Sequence, residues 1–581
     1  MKTNTYKKAA KALLLALCAV VALGKAPKGK LSPDLNAAGR GDSSVDVIVQ
    51  FVPGTAANGK ADVDNQVRRQ GGSVQTHFNI VNAAMYRMPA RALTALANNP
   101  NISYITPDRA VKMNLEYANP AVGAGIAMNY GWDGSGLGVA VIDSGIYLHP
   151  DLNNGSGATR VVYSQNFVPG ESTTSDPYGH GTHVAGIVGG NGSMSNGSNK
   201  TFTFMGIAPR VNLVNLRVLN SLGAGTDSAV ILAIQTAVQL KSLYNIRVIN
   251  LSLGRPVMES YVSDPLCQAV ENAWKAGVVV VVAAGNRGRD NSQGTNGYGT
   301  IGSPGNDPYV ITVGAMRDMS TASRSDDLMT TYSSKGPTAV NQIVKPDLVA
   351  PGNSIISALS PGSQIQTLYP GNVVPINYYK SGNNSNSSYW YYRLSGTSMA
   401  APMVSGAAAL MLQKNPALSP DAVKARLMQS ATKAFPLYSS YTEPATAITY
   451  LTQYDIFTVG AGYLDVWGAL NNTRLVPEGK RALSPKAVKN TLTGVVSLSM
   501  LWGDTVLWGD TVLWGDSLVW GTNVIIGSSI LWGDSILWGD SILWGDTTPA
   551  GSTVLWGDTV LWGDTSQFPA AVLTAGDKTS Q

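Results

Sequence analysis

The sequence predicts an α/β protein in which residues 118–475 form a parallel sheet with helices on both faces. Apolar segments rich in β-branched residues alternate there with longer segments of helical pattern. The strand candidates include Val139–Ile142, Val248–Leu251 and Val278–Ala283, and the helix candidates include Asp227–Leu243 and Pro265–Ala276. Strands that are covered on both faces read as continuous apolar runs, as these do. Because ligands of such sheets bind beyond the carboxyl ends of the strands, polar residues directly after a strand are the functional candidates.

Composition and charge restrict the classes of protein to consider. Of the 581 residues, 44% are hydrophobic and 13% are charged, which is typical of folded domains rather than disordered chains. At roughly 150 residues each, the chain has room for about three or four domains. Residues 1–30 contain seven lysines and no acidic residue, and the remainder carries 34 basic and 36 acidic groups. This balance argues against nucleic acid as a partner.

The amino-terminal residues 1–26 have the pattern of an export signal peptide. Lys7, Lys8 and Lys11 precede the apolar segment Ala12–Gly24. About 13 apolar residues are too few to cross a bilayer as a helix, so a cleaved signal is preferred to an uncleaved anchor. The mature protein is therefore expected outside the cell, either secreted or associated with a cell surface.

Cysteine content is low. Cys18 lies in the signal, so Cys267 is the one cysteine of the mature chain and no internal disulfide can form. Cys267 follows Leu266 in a helical pattern. A buried, small apolar role is therefore favoured over a reactive thiol.

Residues 45–115 alternate strand and helix patterns on a smaller scale. The strand candidates are Val47–Phe51, Ala83–Met88 and Ile102–Ile105, and the helix candidates are Asp62–Gln70 and Ala90–Asn98. These five segments fit the order β-α-β-β-α-β of a small ferredoxin-like α+β unit, which contains one strand more than the three candidates named.

A six-residue repeat occupies residues 494–566, between a linker at residues 476–493 and a tail at residues 567–581. Nine tryptophans from Trp502 to Trp562 are separated by multiples of six residues, and the unit reads Leu-Trp-Gly-Asp-Thr/Ser-Val/Ile. An even period keeps side chains in phase on a strand, so the repeats predict β-structure in stacked rungs or a meander. Three roles stay open: a rigid stalk of stacked tryptophans, contact with glycans or a cell surface, and export or sorting.

Ser398 is a candidate nucleophile, in the segment Gly-Thr-Ser398-Met-Ala-Ala-Pro. The residues that follow it, Met403–Gln413, have a helical pattern. A serine at a helix N-terminus lies where free backbone N–H groups and the helix dipole favour negative charge. Serine is common in turns, so this segment alone is weak evidence.

Asp143 and His180 lie in two further glycine-flanked segments. Asp143 directly follows the predicted strand Val139–Ile142, at the edge of the sheet where ligands bind. His180 is followed three residues later by His183. Zinc peptidases use His-Glu-x-x-His, with a spacing of four and a glutamate, so a metal-binding pair is disfavoured.

The three segments together resemble the motifs of the subtilase family of serine proteases. They are Val-Ile-Asp143-Ser-Gly, His180-Gly-Thr-His-Val-Ala-Gly and Gly-Thr-Ser398-Met-Ala-Ala-Pro. Their order, Asp then His then Ser, is the order found in subtilisin. The resemblance covers most of residues 118–475 and implies a subtilisin-like sheet fold with serine endopeptidase activity. It implies Ser398 as nucleophile, His180 as general base and Asp143 as the partner of His180. Asn286, in Ala-Ala-Gly-Asn286, is implied as a donor to the oxyanion.

The same resemblance implies where a peptide substrate binds. Two extended edges correspond to family segments that pair with the substrate backbone, and one glycine corresponds to the floor of the pocket for the residue before the scissile bond (P1). These residues are Ser252, Leu253 and Gly254 on one edge, Gly223, Ala224 and Gly225 on the other, and Gly302 in the floor. Main-chain pairing tolerates many sequences. The expected activity is therefore broad, with a preference for large apolar P1 residues.

Calcium is implied less directly. Asp151, in His-Pro-Asp151, matches a calcium-ligand position of many relatives. The loop that supplies their other ligands is replaced here by a longer Gly/Ser/Asn segment, Gly189–Thr203. No cofactor is required for the chemistry, and structural calcium stays an open prediction.

The resemblance also gives an interpretation for residues 45–115. They resemble the inhibitory propeptide that subtilases carry between the signal and the enzyme, which implies that this segment is an intramolecular partner. Polypeptides are the implied substrates. The alternative from another class is a surface-binding or adhesive protein that acts through its tryptophan-rich repeats.

Overall fold

The computed structural model describes most of the chain between residues 30 and 499, together with one residue of the tail. The described residues are 30–32, 35, 44–78, 80–108, 110–112, 121–196, 202–319, 321, 323–381, 387–444, 446–473, 476, 481–489, 496–499 and 577. The predicted export signal and the repeats from residue 500 onward lie outside the described residues. The chain divides into two compact units, Met1–His77 with Asn82–Pro107, and Phe78–Val81 with Asp108–Gln581.

Among its described residues, the first unit contains four strands and two α-helices. In chain order they are β1 (Ser44–Phe51), α1 (Ala57–Arg69), β2 (Ser73–His77), β3 (Ala83–Pro89), α2 (Leu93–Ala97) and β4 (Ile102–Pro107). The strands pair antiparallel in the order β2–β3–β1–β4. Helix α1 buries Val63 and Val67, which lie four residues apart on one helical face, in a core shared with Tyr86 and Leu96.

The second unit contains the remaining strands and helices. Its strands are β5 (Ala110–Lys112), β6 (Gly138–Asp143), β7 (Val161–Asn166), β8 (Asn212–Arg217), β9 (Ala224–Thr226), β10 (Ile246–Leu251), β11 (Val279–Ala283), β12 (Ile311–Arg317), β13 (Leu328–Met329), β14 (Leu348–Asn353), β15 (Ile355–Ala358), β16 (Val373–Pro375), β17 (Ser387–Leu394), β18 (Tyr438–Thr442), β19 (Thr449–Gln453), β20 (Lys486–Lys489) and β21 (Val496–Ser499). Its helices are α3 (Ala124–Asn129), α4 (His180–Gly189), α5 (Asp227–Leu240), α6 (Pro265–Lys275), α7 (Gln364–Leu368), α8 (Ile376–Tyr379), α9 (Thr397–Lys414), α10 (Pro420–Ser430) and α11 (Val466–Asn471).

A central sheet of eight strands organises this unit. The strands lie in the order β13–β12–β11–β10–β6–β8–β7, and β14 also pairs with β12. Every pair is parallel except β12 with β13. Strands β6 and β11 are buried at every residue, as their continuous apolar sequences require. The predicted parallel sheet is confirmed.

Two packed pairs of helices contact the sheet. Helices α4 and α9 pack on each other, and α9 also contacts β10, β11, β12 and β14. Helices α5 and α6 form the other pair, beside β10 and β11. Helix α9 is buried from Thr397 to Leu412 because small and apolar residues surround its whole circumference. No helix among the described residues is long and apolar enough to cross a membrane.

Smaller sheets complete the second unit. Strands β15, β17 and β16 form a three-stranded sheet, and β18–β19 and β20–β21 form two antiparallel pairs. Strand β5 pairs antiparallel with β9. The last pairing matters for function because β9 contains two of the predicted substrate-binding residues.

Two domain boundaries differ from those predicted. Residues 476–493 are predicted as a linker, but Ala482, Leu483 and Ser484 are buried in the second unit. Ser484 Oγ donates to Asp347 Oδ1 over 2.5 Å, from a position 137 residues away, which no local sequence pattern reveals. Residues 108–112, predicted with the segment 45–115, also belong to the second unit because β5 pairs with β9.

Candidate active site

Asp143 and His180 meet at the carboxyl edge of the central sheet. Asp143 is the last residue of β6, and His180 is the first residue of α4. His180 Nδ1 lies 2.5 Å from Asp143 Oδ1, and both side chains are at most 1% exposed. A carboxylate oxygen accepts a hydrogen bond from a protonated ring nitrogen, and the tautomer with its proton on Nδ1 leaves Nε2 as the basic nitrogen.

Asp176 fixes the start of the helix that carries His180. Its carboxylate accepts hydrogen bonds from Gly179 N at 2.7 Å, Thr182 N at 2.8 Å and Ser144 Oγ at 2.7 Å. Burial raises the pKa of Asp176, and these hydrogen bonds act in the opposite direction. Gly179 precedes the helix at φ +104, which favours glycine. Asp176 is not among the residues predicted from the sequence, because it precedes the N-cap residue Gly179 and does not occupy the N-cap position that acidic residues favour.

Ser398 lies in the first turn of α9 and is hydrogen bonded to Ser252. Ser398 Oγ donates to the carbonyl of Ser252 at 3.1 Å, and Ser252 Oγ donates to the carbonyl of Ser398 at 2.7 Å. His180 Nε2 is buried and has no hydrogen-bond partner among the described residues. A hydroxyl can rotate between acceptors, and contacts between a nucleophile and its base commonly tighten only when substrate is bound.

Asn286 is held by Thr397, the residue before Ser398. Asn286 Oδ1 accepts hydrogen bonds from Thr397 N at 2.9 Å and from Thr397 Oγ1 at 3.0 Å. The amide nitrogen Nδ2 of Asn286 is buried and has no partner among the described residues. Because its oxygen accepts from Thr397, the amide of Asn286 has its N–H groups available near Ser398.

One predicted substrate edge already pairs with extended chain. Ala224 and Gly225 belong to β9, and Gly223 directly precedes it. Residue by residue, Ala110 pairs with Thr226, Val111 with Gly225, and Lys112 with Ala224. This edge is therefore paired with an extended segment of the chain itself, in antiparallel register.

The other predicted edge lies next to the predicted pocket floor. Ser252 and Leu253 are buried, and Gly254 precedes Arg255, which forms an antiparallel bridge with Ser303. A Cβ atom on Gly302 would lie 3.0 Å from the carbonyl oxygen of Arg255. The structure thus brings Gly302 against the end of the Ser252–Gly254 segment, and a side chain at position 302 would press against that backbone.

The structure shows the surroundings of His183 and Cys267, two side chains for which the sequence allows more than one role. His183 Nε2 lies 3.1 Å from the carbonyl of Tyr392. Burial lowers the pKa of His183 to about 3, and the nearby His180 contributes less to the same shift. Cys267 is buried, as predicted, with Sγ 3.3 Å from Asn306 Oδ1. Burial raises the pKa of the Cys267 thiol well above its usual range, so the reactive thiolate is suppressed.

Asp151, the predicted calcium ligand, is surrounded by hydrogen-bond donors. Its Oδ1 accepts from Ser193 Oγ at 3.0 Å and Met194 N at 2.9 Å, and its Oδ2 accepts from Tyr391 Oη at 2.6 Å. Calcium requires six to eight oxygen ligands, whereas these groups direct hydrogens at the carboxylate. The surroundings of Asp151 do not fit a cation, and the described part of the chain contains no cluster of three or more His, Cys, Asp or Glu suited to a metal. Structural calcium stays a prediction.

Comparison with known proteins connects this geometry to a family. The model of the subtilase family matches residues 134–463. The chain is 37% identical over 400 residues to the serine protease AprX of Bacillus subtilis strain 168, covering 67% of this chain and 83% of that protein. It is 32% identical over 401 residues to subtilisin E of the same strain, with coverage of 68% and 87%. It is 31% identical over 395 residues to an alkaline protease of Shouchella clausii, with coverage of 68% and 85%.

Proposed function

The chain belongs to the subtilase family and is a serine-type endopeptidase, and we propose that Asp143, His180 and Ser398 are its catalytic triad. The observation that carries the assignment is the 2.5 Å contact between His180 Nδ1 and Asp143 Oδ1, with His180 Nε2 left unpaired among the described residues. Such a histidine is poised to accept a proton on Nε2.

The proposed reaction has two stages. Rotation of the Ser398 hydroxyl from the Ser252 carbonyl toward His180 Nε2 lets the imidazole remove its proton as Oγ attacks the scissile carbonyl. His180 then returns the proton to the leaving amine, and water hydrolyses the acyl-enzyme with the same base. Asp143 keeps the proton on Nδ1 and stabilises the imidazolium that forms in each stage.

Asn286 is the proposed side-chain donor to the oxyanion. Its unpaired Nδ2 beside Ser398 supports this role, since Thr397 already engages the amide oxygen. The backbone N–H of Ser398, at the N-terminus of α9, is the proposed second donor. Removal of one such donor costs about 3 kcal/mol of transition-state stabilisation in serine proteases, so Asn286 is expected to affect kcat.

Substrates are proposed to bind as extended chains between Gly223–Gly225 and Ser252–Gly254. The antiparallel pairing of β5 with β9 supports this, because it uses backbone groups that every peptide carries. Gly302 is proposed as the floor of the P1 pocket, where a residue without a side chain would leave room for large apolar groups. We therefore propose broad endopeptidase specificity with that P1 preference.

The segment 45–115 is proposed to act as an inhibitory propeptide in a secreted zymogen. Three contacts within the second unit support this. Strand β5 pairs with β9 along the predicted substrate edge. Asp108 Oδ1 accepts a hydrogen bond from Ser228 N at 2.6 Å, and Asn272 Nδ2 donates to the carbonyl of Ile80 at 2.7 Å. Segments from the amino-terminal side thus contact the substrate edge and helices α5 and α6. Cleavage between residues 110 and 120 would free the cleft.

Surface binding through residues 494–566 remains the alternative role. The comparisons concern the peptidase segment and give this alternative no support. An accessory contact of the repeats with glycans or a cell surface is compatible with the proposed enzyme.

The test is expression of residues 27–581 beside a Ser398→Ala version. The unsubstituted chain is expected to process itself and to cleave casein, whereas Ser398→Ala is expected to stay as an inactive precursor. Equal casein cleavage by both would refute the proposed triad, as would inactivity of the unsubstituted chain after removal of residues 45–115.

A further inference from the structure

A buried polar site in the second unit holds one residue of the C-terminal tail. Asp577 is 2% exposed, and it makes five hydrogen bonds with Arg289, Thr331 and Asn353. These three residues precede Asp577 by 224 to 288 positions. The contact therefore joins the tail to the peptidase part of the chain.

The site contacts both the side chain and the backbone of Asp577. Arg289 Nη2 and Thr331 Oγ1 donate to Oδ1 at 2.6 and 2.9 Å, and Thr331 N donates to Oδ2 at 2.8 Å. Asn353 Oδ1 accepts from Asp577 N at 2.9 Å, and Asn353 Nδ2 donates to the Asp577 carbonyl at 3.1 Å. Charge-assisted bonds at the carboxylate and a two-point main-chain contact together select an aspartyl residue within a peptide.

Arg289 is oriented for this ligand by other groups. Its Nε donates to Thr331 Oγ1 at 2.8 Å and its Nη1 donates to Glu443 Oε1 at 2.7 Å. Its guanidinium carbon lies 4.6 Å from the centroid of the Tyr450 ring, on the β18–β19 hairpin. Burial by itself lowers the pKa of Arg289, but Asp577 and Glu443 raise it on balance. Without Asp577, a largely buried cation would lose one of its two carboxylate partners, which is unfavourable.

The residues of this site adjoin the backbone that carries the catalytic groups. Gly288 N donates to the carbonyl of Tyr332 at 2.8 Å, and Ser334 N donates to the carbonyl of Gly285 at 2.9 Å, so the chain after Thr331 braces the segment that contains Asn286. On the other side, Gly396 N donates to the carbonyl of Gly352 at 2.8 Å. Gly352 directly precedes Asn353, and Gly396 lies two positions before Ser398.

We propose that Arg289, Thr331 and Asn353 form a docking site for Asp577, and that docked Asp577 holds the backbone next to Asn286 and Ser398 in the positions that catalysis requires. The second part rests on the proposed roles of Asn286 and Ser398. Asp577 is then a positioning residue, which acts through the two backbone segments described above. The activity of the enzyme then depends on Asp577, which lies outside the residues matched by the family.

Kinetics of the full chain test the positioning role. Asp577→Ala and Asp577→Asn are expected to lower kcat on a chromogenic peptide about tenfold with KM nearly unchanged, because small displacements of reacting groups reduce rates steeply. Lys578→Ala, which alters the next residue and keeps the carboxylate, is the matched control and should retain wild-type kcat. A synthetic peptide of residues 571–581 should restore kcat to Asp577→Ala, whereas the same peptide with Asp577→Asn should not.

Binding tests the site without relying on activity. Full-length Ser398→Ala and Ser398→Ala/Asp577→Ala are titrated with a fluorescently labelled peptide of residues 571–581, and anisotropy is recorded. The peptide should bind the double variant, whose site has lost its own aspartate, and not the single variant, whose tail occupies the site. Substituting Asp577→Asn in the peptide should weaken binding at least about tenfold, as expected for loss of charge-assisted hydrogen bonds.

The outcomes separate this proposal from the proposed function. Peptide binding that ignores Asp577, or unchanged kcat in Asp577→Asn, overturns the docking proposal while leaving the triad intact. A wrong triad would instead appear as activity in Ser398→Ala, and the anisotropy titration would still report on the docking site. Cooperative thermal unfolding of each variant distinguishes a local effect from misfolding: loss of kcat that accompanies unfolding, and that the peptide does not restore, also counts against the proposal.

Discussion

Asn286 is a side chain whose orientation is held by hydrogen bonds while its proposed donor group stays available. Its oxygen accepts two hydrogen bonds from Thr397, and its buried nitrogen has no partner in the described part of the chain. An amide N–H that has no partner in the protein is available to a developing oxyanion, and a hydrogen bond made mainly in the transition state raises kcat.

Asn286→Ala is therefore expected to lower kcat by about 10²- to 10³-fold with little change in KM, since the donor acts mainly in the transition state. Steady-state kinetics on a chromogenic peptide measure the effect. Asn341→Ala, which removes an amide that bonds Ser260 and Tyr261, is the control and should retain activity. A matching rise in KM with kcat preserved would contradict the assigned role.

Lys433 is expected to make the free energy of unfolding depend on pH. Burial lowers the pKa of Lys433 to about 7, and its ammonium donates to the carbonyls of Met428 and Ala461. In the unfolded chain a lysine has a pKa near 10.4, so between about pH 7 and pH 10 the unfolded state binds more protons than the folded state. The free energy of unfolding therefore rises with pH across that range.

Lys433→Met is expected to reduce the rise in unfolding free energy between pH 7 and pH 9 by about 2 kcal/mol. Urea unfolding of full-length Ser398→Ala, which avoids self-digestion, measures it with and without the substitution. Lys275→Met, at an exposed helical position, is the control. An identical pH dependence in the Lys433→Met variant would show that this amine does not titrate as described.

At the scale of elements, the start of α4 determines the position of His180. Glycine, histidine and threonine are weak helix formers, yet a helix begins there because Asp176 binds the backbone N–H groups of Gly179 and Thr182. The same carboxylate accepts from Ser144, the residue after Asp143. One buried carboxylate thus connects the strand end and the helix start that carry two members of the proposed triad.

Asp176→Ala should lower the free energy of unfolding by about 2 kcal/mol and lower kcat about tenfold, since the helix start loses its acceptor and His180 is displaced. Asp176→Asn retains one acceptor oxygen and should therefore show a smaller decrease in the free energy of unfolding and in kcat. Denaturant unfolding and kinetics on the same preparations provide the comparison. Asp176→Ala with full kcat would show that the helix start is set by other contacts.

Strand β9 is the element expected to hold both substrate and propeptide. Proline at Gly225 removes a main-chain N–H and is poorly tolerated in a paired strand. Gly225→Pro should raise KM for an extended peptide about tenfold, in line with the loss of main-chain pairing. Hydrolysis of a short ester that does not reach β9 should be unaffected, and so should the peptide kinetics of Gly225→Ala. If Gly225→Pro impaired hydrolysis of the ester and of the peptide equally, the substitution would act on something other than peptide pairing at β9.

At the scale of the whole molecule, the peptidase unit extends past its family match at residue 463. Lys424 and Lys345 approach Asp347 inside the unit, and Ser484 supplies a hydroxyl to both Asp347 and Lys424. Burial lowers the pKa of Lys424 to about 7, with Asp347 opposing that shift. A buried ionic cluster of this kind needs each hydrogen-bonding position filled.

A chain ending at residue 475 is expected to be less stable than one ending at residue 489 by about 3 kcal/mol, because Asp347 and Lys424 lose a buried partner and apolar Leu483 is removed. The comparison uses Ser398→Ala versions and urea unfolding. Ser484→Ala in the longer chain isolates the hydroxyl and should account for only part of the loss. If the two chains were equally stable, the added residues would not contribute to the fold, as predicted for a linker at residues 476–493.

The sequence by itself determined the fold class and the members of the proposed active site. Strands such as β6 and β11 are recognisable because burial on both faces demands unbroken apolar runs, and Asp143, His180 and Ser398 lie in short motifs at element ends. Tertiary structure alone decided the bond of Ser398 to Ser252, the bond of Asp176 to Ser144, the burial of Ser484 and the contacts of Asp577. Each of these depends on which distant polar groups meet after packing, and a hydrogen bond across tens or hundreds of residues leaves no periodicity in the chain.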